Sequence, residues 1–427
     1  MGHILLVLTN LAFPFAALGV LLGFVFSPRR RVLKHLKQEL KERFALESAG
    51  DIPQKAIWLH CASVGEVKSI SGLIKELKHI YRRKPILITT STAAGQAEAQ
   101  KNPDITKALL VPLDFYPFAR RFIQRANPHR LLVVEREIWP NMLAAAQKAG
   151  VPVFLINARI SAKSARGYRL VKPLFSMLFK KISLAAIQDE NSARRYFSLG
   201  LAQEITAVSG NIKYDTLSDE APKRAEVQKL VKQLGWEKDF IFICGSTHPK
   251  EEELILDALP AWAEQGIKVI FAPRHLERKE EIKAALQARP LAYGMLSEGN
   301  FPTNCAVLCA DTMGLLASLY ACGNLAFVGG SIVPRGAHNL LEPAILGKTV
   351  LFGKSFFNTP DTAQALITNG GGVLVDETTL QETVLRLSKN LAVLDNMAAK
   401  ARQTALSFKG ATEKIKNRVM EYERKTA

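Results

Sequence analysis

Residues 56–62 read Ala-Ile-Trp-Leu-His-Cys-Ala, a short apolar run, and a helical pattern follows over residues 67–81. An apolar run of this length, bounded by polar residues, is typical of a strand that is buried on both faces of a parallel sheet. The same combination returns at residues 85–90, where a helix is expected from about residue 94. Strands that alternate with helices of about 10–15 residues predict βαβ units and a doubly wound α/β fold.

The alternation continues along the chain and is interrupted once. Further strands are predicted at residues 109–113, 130–134, 151–156 and 184–188, and then at 239–244, 268–272, 306–310, 325–328 and 349–352. Between these two series, residues 217–235 are charged and helical and contain no predicted strand. A chain of 427 residues is long enough for two domains. We therefore expect two Rossmann-like domains, residues 28–220 and 221–427, the second of which includes the terminal helix. Ligands of such sheets bind at the carboxyl ends of strands, so the cleft between two such domains is the expected site.

The N-terminal residues 4–26 contain no charged side chain. A helix of this length reaches roughly 34 Å, enough to cross the hydrocarbon core of a bilayer. Basic residues follow directly, namely Arg29, Arg30, Arg31, Lys34, Lys37, Lys41 and Arg43. The pattern predicts one uncleaved anchor over residues 1–27, with the rest of the chain on the cytoplasmic side of the membrane. Three alternatives compete: a cleaved signal peptide, an interfacial helix that lacks its polar face, and a buried core helix, which Thr9, Asn10 and Pro14 favour.

The net charge of +18 predicts an anionic partner. The basic residues concentrate after the apolar segment, where anionic lipid headgroups would lie, and no nucleic-acid-binding motif is present. We therefore expect an anionic membrane surface as a partner, and no nucleic acid. The chain has five cysteines, Cys61, Cys244, Cys305, Cys309 and Cys322. Their odd number and apolar surroundings favour reduced, packed thiols, and their spacing predicts no metal site.

Three loops of the first half contain candidate catalytic residues. Glu66 follows the first strand, and either closes a capping box with Ser63 or acts as a general base. The segment Glu135-Arg136-Glu137 follows another strand, and either raises the pKa of one acid or forms an exposed ion-pair cluster. Lys213, within residues 209–215, either stabilises developing negative charge or is an ordinary surface lysine.

The second half has four polar loops after predicted strands, at residues 245–249, 273–275, 311–314 and 334–344. Amides at helix N-termini and the guanidinium of Arg274 suit a phosphate, and Glu342 suits the hydroxyl groups of a ribose. Neither a dinucleotide-binding G-x-G-x-x-G motif nor a P-loop occurs. The four loops together predict one nucleotide-bearing ligand.

The motifs occur in an order that resembles the Kdo transferases of glycosyltransferase family 30. They are Ser63-Val64-Gly65-Glu66, Glu135-x-Glu137-Ile138-Trp139-Pro140-Asn141, Asn157-Ala158-Arg159-Ile160-Ser161, Gly210-Asn211-Ile212-Lys213-Tyr214-Asp215, Gly245-Ser246-Thr247-His248, Ala272-Pro273-Arg274-His275, Asp311-Thr312-Met313-Gly314 and His338-Asn339-x-Leu341-Glu342-Pro343-Ala344. These enzymes move 3-deoxy-D-manno-oct-2-ulosonic acid (Kdo) from CMP-Kdo to a lipid A precursor, lipid IVA. The resemblance covers nearly the whole chain.

The resemblance implies a GT-B glycosyltransferase that inverts configuration and needs neither a metal ion nor a cofactor. It implies that Glu66 is the general base and that Glu135 and Lys213 stabilise the transition state. The CMP-Kdo-binding residues that it implies are Ser246, Thr247, Pro273, Arg274, Met313, Gly314, Leu315, Asn339, Leu340, Leu341 and Glu342.

The chain departs from the family pattern at Arg136, Leu315, Pro249 and Ala337, which places fine donor contacts around Leu315 in question. Two other functions compete with Kdo transfer. Another nucleotide-sugar enzyme, such as a 2-epimerase or a different membrane glycosyltransferase, would bind UDP rather than CMP. A membrane-anchored module that only binds anionic lipid would have no use for the acids.

Overall fold

The structure, a computed structural model, describes residues 1–11 and 36–426. The chain forms two compact units: unit 1 is Met1–Thr216 with Lys409–Ala427, and unit 2 is Leu217–Phe408. The observed boundary lies close to the predicted one at residue 220. The terminal segment, however, belongs to unit 1, whereas the sequence analysis assigned it to the second domain.

Unit 1 contains a seven-stranded sheet in which helices connect the strands. The strands are β1 Ile57–Cys61, β2 Ile86–Thr90, β3 Lys107–Leu110, β4 Arg130–Val134, β5 Val153–Ala158, β6 Leu184–Ile187 and β7 Thr206–Val208. The helices before unit 2 are α1 (residues 2–11), α2 Leu36–Arg43, α3 Val64–Ser69, α4 Ser71–Ile80, α5 Ala93–Ala99, α6 Tyr116–Ala126, α7 Pro140–Lys148, α8 Ala162–Leu170, α9 Lys172–Phe179 and α10 Glu190–Ser198, with 3-10 helices at Ala49–Asp51 and Ile212–Thr216. The strand order β3-β2-β1-β4-β5-β6-β7 reverses between β1 and β4, and ligands of doubly wound sheets bind at such a reversal.

Both faces of β1 are buried, which explains why its sequence is apolar rather than alternating. Trp58 belongs to the core cluster on one face, whereas Ile57 and Leu59 belong to the cluster on the other. The strand pairs in parallel with β2 and β4, with Leu59 opposite Leu132. The predicted parallel sheet is therefore confirmed at its centre.

Unit 2 contains a second seven-stranded parallel sheet. Its strands are β8 Phe240–Thr247, β9 Ile267–Pro273, β10 Tyr293–Met295, β11 Val307–Cys309, β12 Leu325–Val328, β13 Thr349–Phe352 and β14 Gly372–Leu374. Its helices are α11 Arg224–Gln233, α12 Pro249–Glu264, α13 Lys279–Gln287, α14 Leu316–Cys322, α15 Leu341–Ile345, α16 Pro360–Thr368, α17 Leu380–Ser388 and α18 Leu391–Ser407, with 3-10 helices at Leu276–Arg278 and Leu296–Glu298. The order β10-β11-β9-β8-β12-β13-β14 reverses between β8 and β12. The five cysteines are free thiols, as predicted.

The terminal helix α19, Ala411–Thr426, packs on unit 1. Asp215 accepts the Gly410 and Ala411 N–H groups at 2.6 and 3.2 Å, so this acid stabilises the start of the helix. Near the other end, Glu423 accepts two hydrogen bonds of 2.8 Å from the Arg130 guanidinium. Asp215 belongs to a motif that the sequence analysis treated as catalytic, but its contacts are those of a helix cap.

Helix α1 contains the first part of the predicted membrane anchor and packs on unit 1. Leu6 is buried, and the Asn10 side chain donates to Asn141 Oδ1 at 2.6 Å and accepts the Tyr116 N–H at 2.8 Å. These hydrogen bonds attach the end of α1 to unit 1. Residues 12–27 of the predicted anchor lie outside the described residues. In residues 1–11 and 36–426, no helix is both long and apolar enough to span a bilayer.

Strands β7, β10 and β14 were not predicted. Strand β3 overlaps the strand predicted at residues 109–113, but it begins before residue 109 and ends before residue 113. The three missed strands have three residues each, and β10 and β14 contain glycine. They lie at or near the edges of the two sheets, where one neighbour is missing and a long apolar run is unnecessary.

Candidate active site

Glu66 lies in the first turn of α3, directly after β1 at the reversal point of unit 1. Its Oε2 accepts the Ala62 N–H at 2.7 Å, and its own N–H donates to Ser63 Oγ at 3.4 Å. Ser63 is therefore the helix cap, as one interpretation predicted. The glutamate carboxylate binds the residue before the cap, however, rather than closing the capping box on Ser63 itself.

The environment of Glu66 favours its protonated form. Burial raises the pKa of the Glu66 carboxyl to about 7, although the Ala62 N–H opposes the shift. The charges of Glu135 and Glu137 raise the pKa further, and Lys213 lowers it. A carboxylate that titrates near neutral pH is well suited to accept a proton in catalysis.

Glu135 and Lys213 form an ion pair in which Lys213 Nζ lies 2.6 Å from Glu135 Oε1. Glu135 follows β4, the neighbour of β1, and its backbone is left-handed with φ 58°. Lys213 is placed by Asn157, whose Oδ1 accepts the N–H of the preceding residue, Ile212, at 3.0 Å. Asn157 also has a left-handed φ of 53°, and such strained non-glycine residues cluster at functional sites. The pair thus presents a half-exposed ammonium group at the edge that contains Glu66.

A buried network next to this pair was not found from the sequence. Trp139 Nε1 donates to Glu137 Oε2 at 2.9 Å and lies 3.1 Å from His60 Nε2, while His60 Nδ1 lies 3.0 Å from Thr89 Oγ1. The interaction with His60 lowers the pKa of Glu137. The pKa of Glu66 is therefore raised and that of Glu137 is lowered. Such a separation of pKa values lets neighbouring acids take different roles as proton donor and proton acceptor. The sequence feature that could have indicated this network is His60, a histidine inside an apolar strand.

The predicted donor-binding residues of unit 2 lie at the carboxyl ends of β11, β9, β8 and β12, which are neighbours in the sheet. Strand β8 ends with Ser246 and Thr247, and β9 ends with Pro273, which precedes Arg274. Strand β11 is followed by Met313, Gly314 and Leu315. The segment after β12 contains Asn339, Leu340, Leu341 and Glu342. The side chains of Arg274, Met313 and Asn339 are exposed, and those of Thr247, Pro273, Leu315, Leu340 and Leu341 are buried. The structure brings the segments to one edge of one sheet, and their role in donor binding stays a prediction.

Glu342 is half-buried in the first turn of α15, and burial raises the pKa of its carboxyl. Tyr320 of α14 is fully buried, and burial together with the charge of Glu342 raises the pKa of its hydroxyl group. A Cβ added to Gly245 would collide with the Tyr320 hydroxyl, so β8 approaches α14 closely because this position is glycine.

The departures from the family pattern have separate positions. Arg136 is exposed and contributes to the lowered pKa of Glu137. Leu315 is the buried N-cap of α14, and Pro249 occupies the first position of α12, where its missing N–H costs nothing. Ala337 is buried and donates its N–H to Ser355 O at 2.7 Å.

Two histidines that the sequence analysis left without a role, His248 and His338, lie in the loops after β8 and β12. In the part of the chain that the structure describes, no three His, Cys, Asp or Glu side chains are arranged to hold a metal ion. Independence from metal ions stays a prediction.

Comparison with known proteins gives the relationship of the chain. The profile of the 3-deoxy-D-manno-octulosonic-acid transferase (kdotransferase) family matches residues 38–216. The 3-deoxy-D-manno-octulosonic acid transferase of Haemophilus influenzae is 32% identical over 401 residues, which cover 92% of this chain and 91% of the relative.

Solved structures are similar in fold. A glycosyltransferase from Rickettsia africae matches with a TM-score of 0.59 at 12% identity, over 87% of this chain and 98% of that one. A UDP-GlcNAc 2-epimerase from Neisseria meningitidis also matches with a TM-score of 0.59, at 13% identity, over 86% of this chain and 100% of that one. At such low identity these matches show the fold alone.

Two doubly wound parallel sheets, each with one reversal of strand order, place the chain in the GT-B fold class. The extent and identity of the match to the Haemophilus influenzae protein show that the chain belongs to the 3-deoxy-D-manno-octulosonic acid transferase family.

Proposed function

We propose that the protein transfers Kdo from CMP-Kdo to a sugar hydroxyl of lipid IVA, with inversion and without a metal ion. The observation that carries this proposal is Glu66, a carboxylate at the unit 1 reversal point whose pKa is raised to about 7 by burial. A group of this kind accepts the proton of an attacking hydroxyl at physiological pH.

In the proposed reaction, the acceptor oxygen attacks the anomeric carbon of Kdo while its proton passes to a Glu66 carboxylate oxygen. The bond between the anomeric carbon and the phosphate oxygen breaks, and CMP leaves with the electron pair. Lys213, held by Glu135 at 2.6 Å, supplies positive charge where negative charge develops. Glu135 keeps that ammonium group in place.

We assign the donor to unit 2. Four adjacent strands end in polar loops there, and Arg274 is exposed among them. A guanidinium group and helix N-termini bind phosphate without a metal ion. Glu342 is assigned to the ribose hydroxyl groups, and Ser246, Met313, Gly314 and Asn339 to the rest of the nucleotide. The buried Thr247, Pro273, Leu315, Leu340 and Leu341 shape the loops or contribute backbone groups.

We further propose that the enzyme works at the cytoplasmic face of the bacterial inner membrane. The uncharged segment 4–26 and the basic residues that follow it support this location. Ile4, Val7, Leu8 and Leu11 of α1 are exposed, although Leu6 is buried against unit 1. Arg43 supports the location less, because it donates to Ser91 O and Val111 O at 2.6 and 3.0 Å.

The test is to incubate the full chain with CMP-Kdo and lipid IVA and to measure CMP release together with the mass of the lipid product. We expect release of CMP and addition of Kdo, at the same rate with and without EDTA. Strict dependence on a divalent ion would refute the metal-free mechanism. Binding of UDP but not CMP would instead favour another nucleotide-sugar enzyme.

A further inference from the structure

His248 and His338 face each other across the reversal point of unit 2. Their Nε2 atoms lie 3.1 Å apart, and their rings are stacked with a centroid distance of 5.4 Å and an interplanar angle of 8°. At this distance one Nε2 carries the hydrogen and the other accepts it, so the pair shares one proton between two nitrogens. Both rings sit at the strand ends to which the donor has been assigned.

The backbone holds the two rings in this position. His248 is the N-cap of α12. The His338 N–H donates to Gly329 O at 3.2 Å, and this hydrogen bond holds the loop with His338 against the end of β12. Gly330 has φ 75°, and a Cβ there would lie 2.6 Å from Gly336 O and 3.2 Å from His338 Cδ2. Only glycine leaves room for this ring.

A buried carboxylate fixes the same loop. Glu251 is fully buried, and its oxygens accept the N–H groups of Gly330, Ser331 and Ile332 at 2.8 to 2.9 Å and that of His248 at 3.2 Å. One side chain therefore ties the segment that follows β12 to the start of α12, and with it the two histidines.

Two arginines and a third histidine lie around the pair. Arg274 and His275 face it from the loop after β9, and Arg335 faces it from the loop after β12. Burial and these charges lower the pKa of His248 to about 4 and also lower that of His338. The neighbouring acids are engaged elsewhere: Glu251 with backbone amides, and Glu277 with His275 Nδ1 at 3.0 Å. At neutral pH the pair is therefore uncharged, and it lies close to two guanidinium groups.

We propose that His248 and His338 together bind the phosphate group of the donor nucleotide, and that the pair takes up one proton from solvent when the nucleotide binds. The added proton goes to the Nε2 that had accepted the hydrogen bond, so the bond between the rings breaks and both Nε2–H groups donate to phosphate oxygens. The inference rests on the donor assignment of the proposed function.

The reaction itself gives this proton a purpose. The phosphodiester of the donor carries one negative charge, whereas the departing CMP gains a second. A protonated pair stabilises that second charge as it forms, as an additional metal-independent interaction beside Arg274. His248 and His338 are thus binding residues for the leaving group.

The experiment is calorimetric titration of the full chain with CMP at pH 7.0 in buffers that differ in ionisation enthalpy, such as Tris, HEPES and PIPES. The slope of the observed heat against ionisation enthalpy counts the protons taken up. We expect about 0.5–1 proton per CMP, because the anion raises the pKa of the pair to or above the working pH. Cytidine, which lacks the phosphate, should take up none.

The variants His338→Asn and His248→Asn separate the pair from the titration of CMP itself, whose phosphate pKa is near 6. Asparagine preserves the helix cap at position 248. Each variant should lose most of the proton uptake and bind CMP about tenfold more weakly, as expected for the loss of a charge-assisted hydrogen bond. His79→Asn, an exposed histidine of unit 1, is the matched control and should behave as the parent.

Binding of CMP to the parent with a heat that does not depend on the buffer would overturn the proposal. So would unchanged proton uptake in both variants when their melting curves show folded protein. If CMP does not bind at all, the assignment of CMP-Kdo as the donor is wrong. The same titration with UDP then tests whether the histidine pair takes up a proton when a different nucleotide binds. Proton uptake with UDP would preserve the pair, and no binding of either nucleotide would refute both.

Discussion

The two units are built on the same plan, but their reversal points carry opposite chemistry. In unit 1, Glu66, Glu135 and Glu137 lie after β1 and β4, with Lys213 as the facing cation. In unit 2, the equivalent edge at β8 and β12 presents His248, His338, Arg274 and Arg335, while its buried acid, Glu251, is occupied by backbone amides. Both positions follow from the winding of a parallel sheet, and only the side chains differ.

The difference shows how one fold can supply two halves of a reaction. A set of acids with pKa values pushed apart handles protons, because burial raises the pKa of Glu66 while His60 lowers that of Glu137. In the proposed function, the guanidinium groups of Arg274 and Arg335 and the histidine pair of unit 2 bind the anionic nucleotide. Changes in unit 1 should therefore alter turnover, and changes in unit 2 should alter nucleotide affinity.

The largest effect is expected for Glu66→Gln. The amide keeps the shape but cannot accept the proton, so the rate should fall by about 10²–10⁴-fold, with CMP affinity unchanged in calorimetry. A folded-state pKa above that of the unfolded chain means that Glu66 costs stability as pH rises through about 7. The variant should therefore melt no lower than the parent at pH 8, which excludes unfolding as the cause. A variant as active as the parent would remove Glu66 from the mechanism.

Lys213→Met should reduce turnover by about 10²–10³-fold, because it removes one preorganised positive charge. It also leaves the buried Glu135 without its partner, so the free energy of unfolding should fall as well. In steady-state kinetics, the double variant with Glu135→Gln should lose less than the sum of the two single losses, since the pair acts as a unit. Lys68→Met, an exposed lysine on α3, is the matched control. Strict additivity would contradict a functional pair.

Glu251→Gln should weaken CMP binding by about tenfold, because a neutral amide accepts four N–H groups poorly and the loop carrying His338 loosens. The pH dependence of turnover at saturating donor should stay as in the parent, since Glu66 lies in the other unit. Glu253→Gln, an exposed acid of the same helix, is the control. A shift in the turnover profile instead of the affinity would show that the two sets are not separable.

The smallest effect is expected for Asp215→Ala. The loss of a helix cap should lower the free energy of unfolding by about 1 kcal/mol, while the activity of folded protein changes little. Asp215→Asn, which retains a capping side chain, should lose less. Denaturant unfolding and specific activity measure both quantities. A large loss of activity in folded Asp215→Ala would show that this acid takes part in catalysis as well as capping α19.

The central strands could be predicted because burial on both faces requires long apolar runs, as at residues 57–61. Three of the edge strands, β7, β10 and β14, could not, since three half-covered residues such as Thr206–Val208 leave no such run. The return of α19 to unit 1 also escaped prediction, because an apolar helix face does not specify which domain it covers. Residues 4–11 were predicted as part of a span, yet Asn10, noted as a residue favouring a core helix, forms the hydrogen bonds that attach them to unit 1.

The site was predictable where one motif contains the whole contact, and less so where folding brings distant residues together. Glu66 lies in the same short segment as the strand before it. Its hydrogen bond to the cap residue Ser63 and its position at the end of β1 could therefore both be predicted. His248 and His338 are 90 residues apart, so only the sheet order reveals that they touch. His60 looked like part of an apolar strand, and its contact with Trp139 depends on the pairing of β1 with β4.

The central claim is that Glu66 accepts the proton, and the pH dependence of kcat for Kdo transfer at saturating CMP-Kdo tests it most directly, because proton uptake on donor binding does not enter kcat. The base acts when deprotonated and its pKa is raised to about 7. The rate should therefore rise about tenfold per pH unit below 7 and level off above it, and the residual rate of Glu66→Gln should lack this step. A parent profile that is flat between about pH 5.5 and 8.5, or that falls with rising pH, would contradict the account.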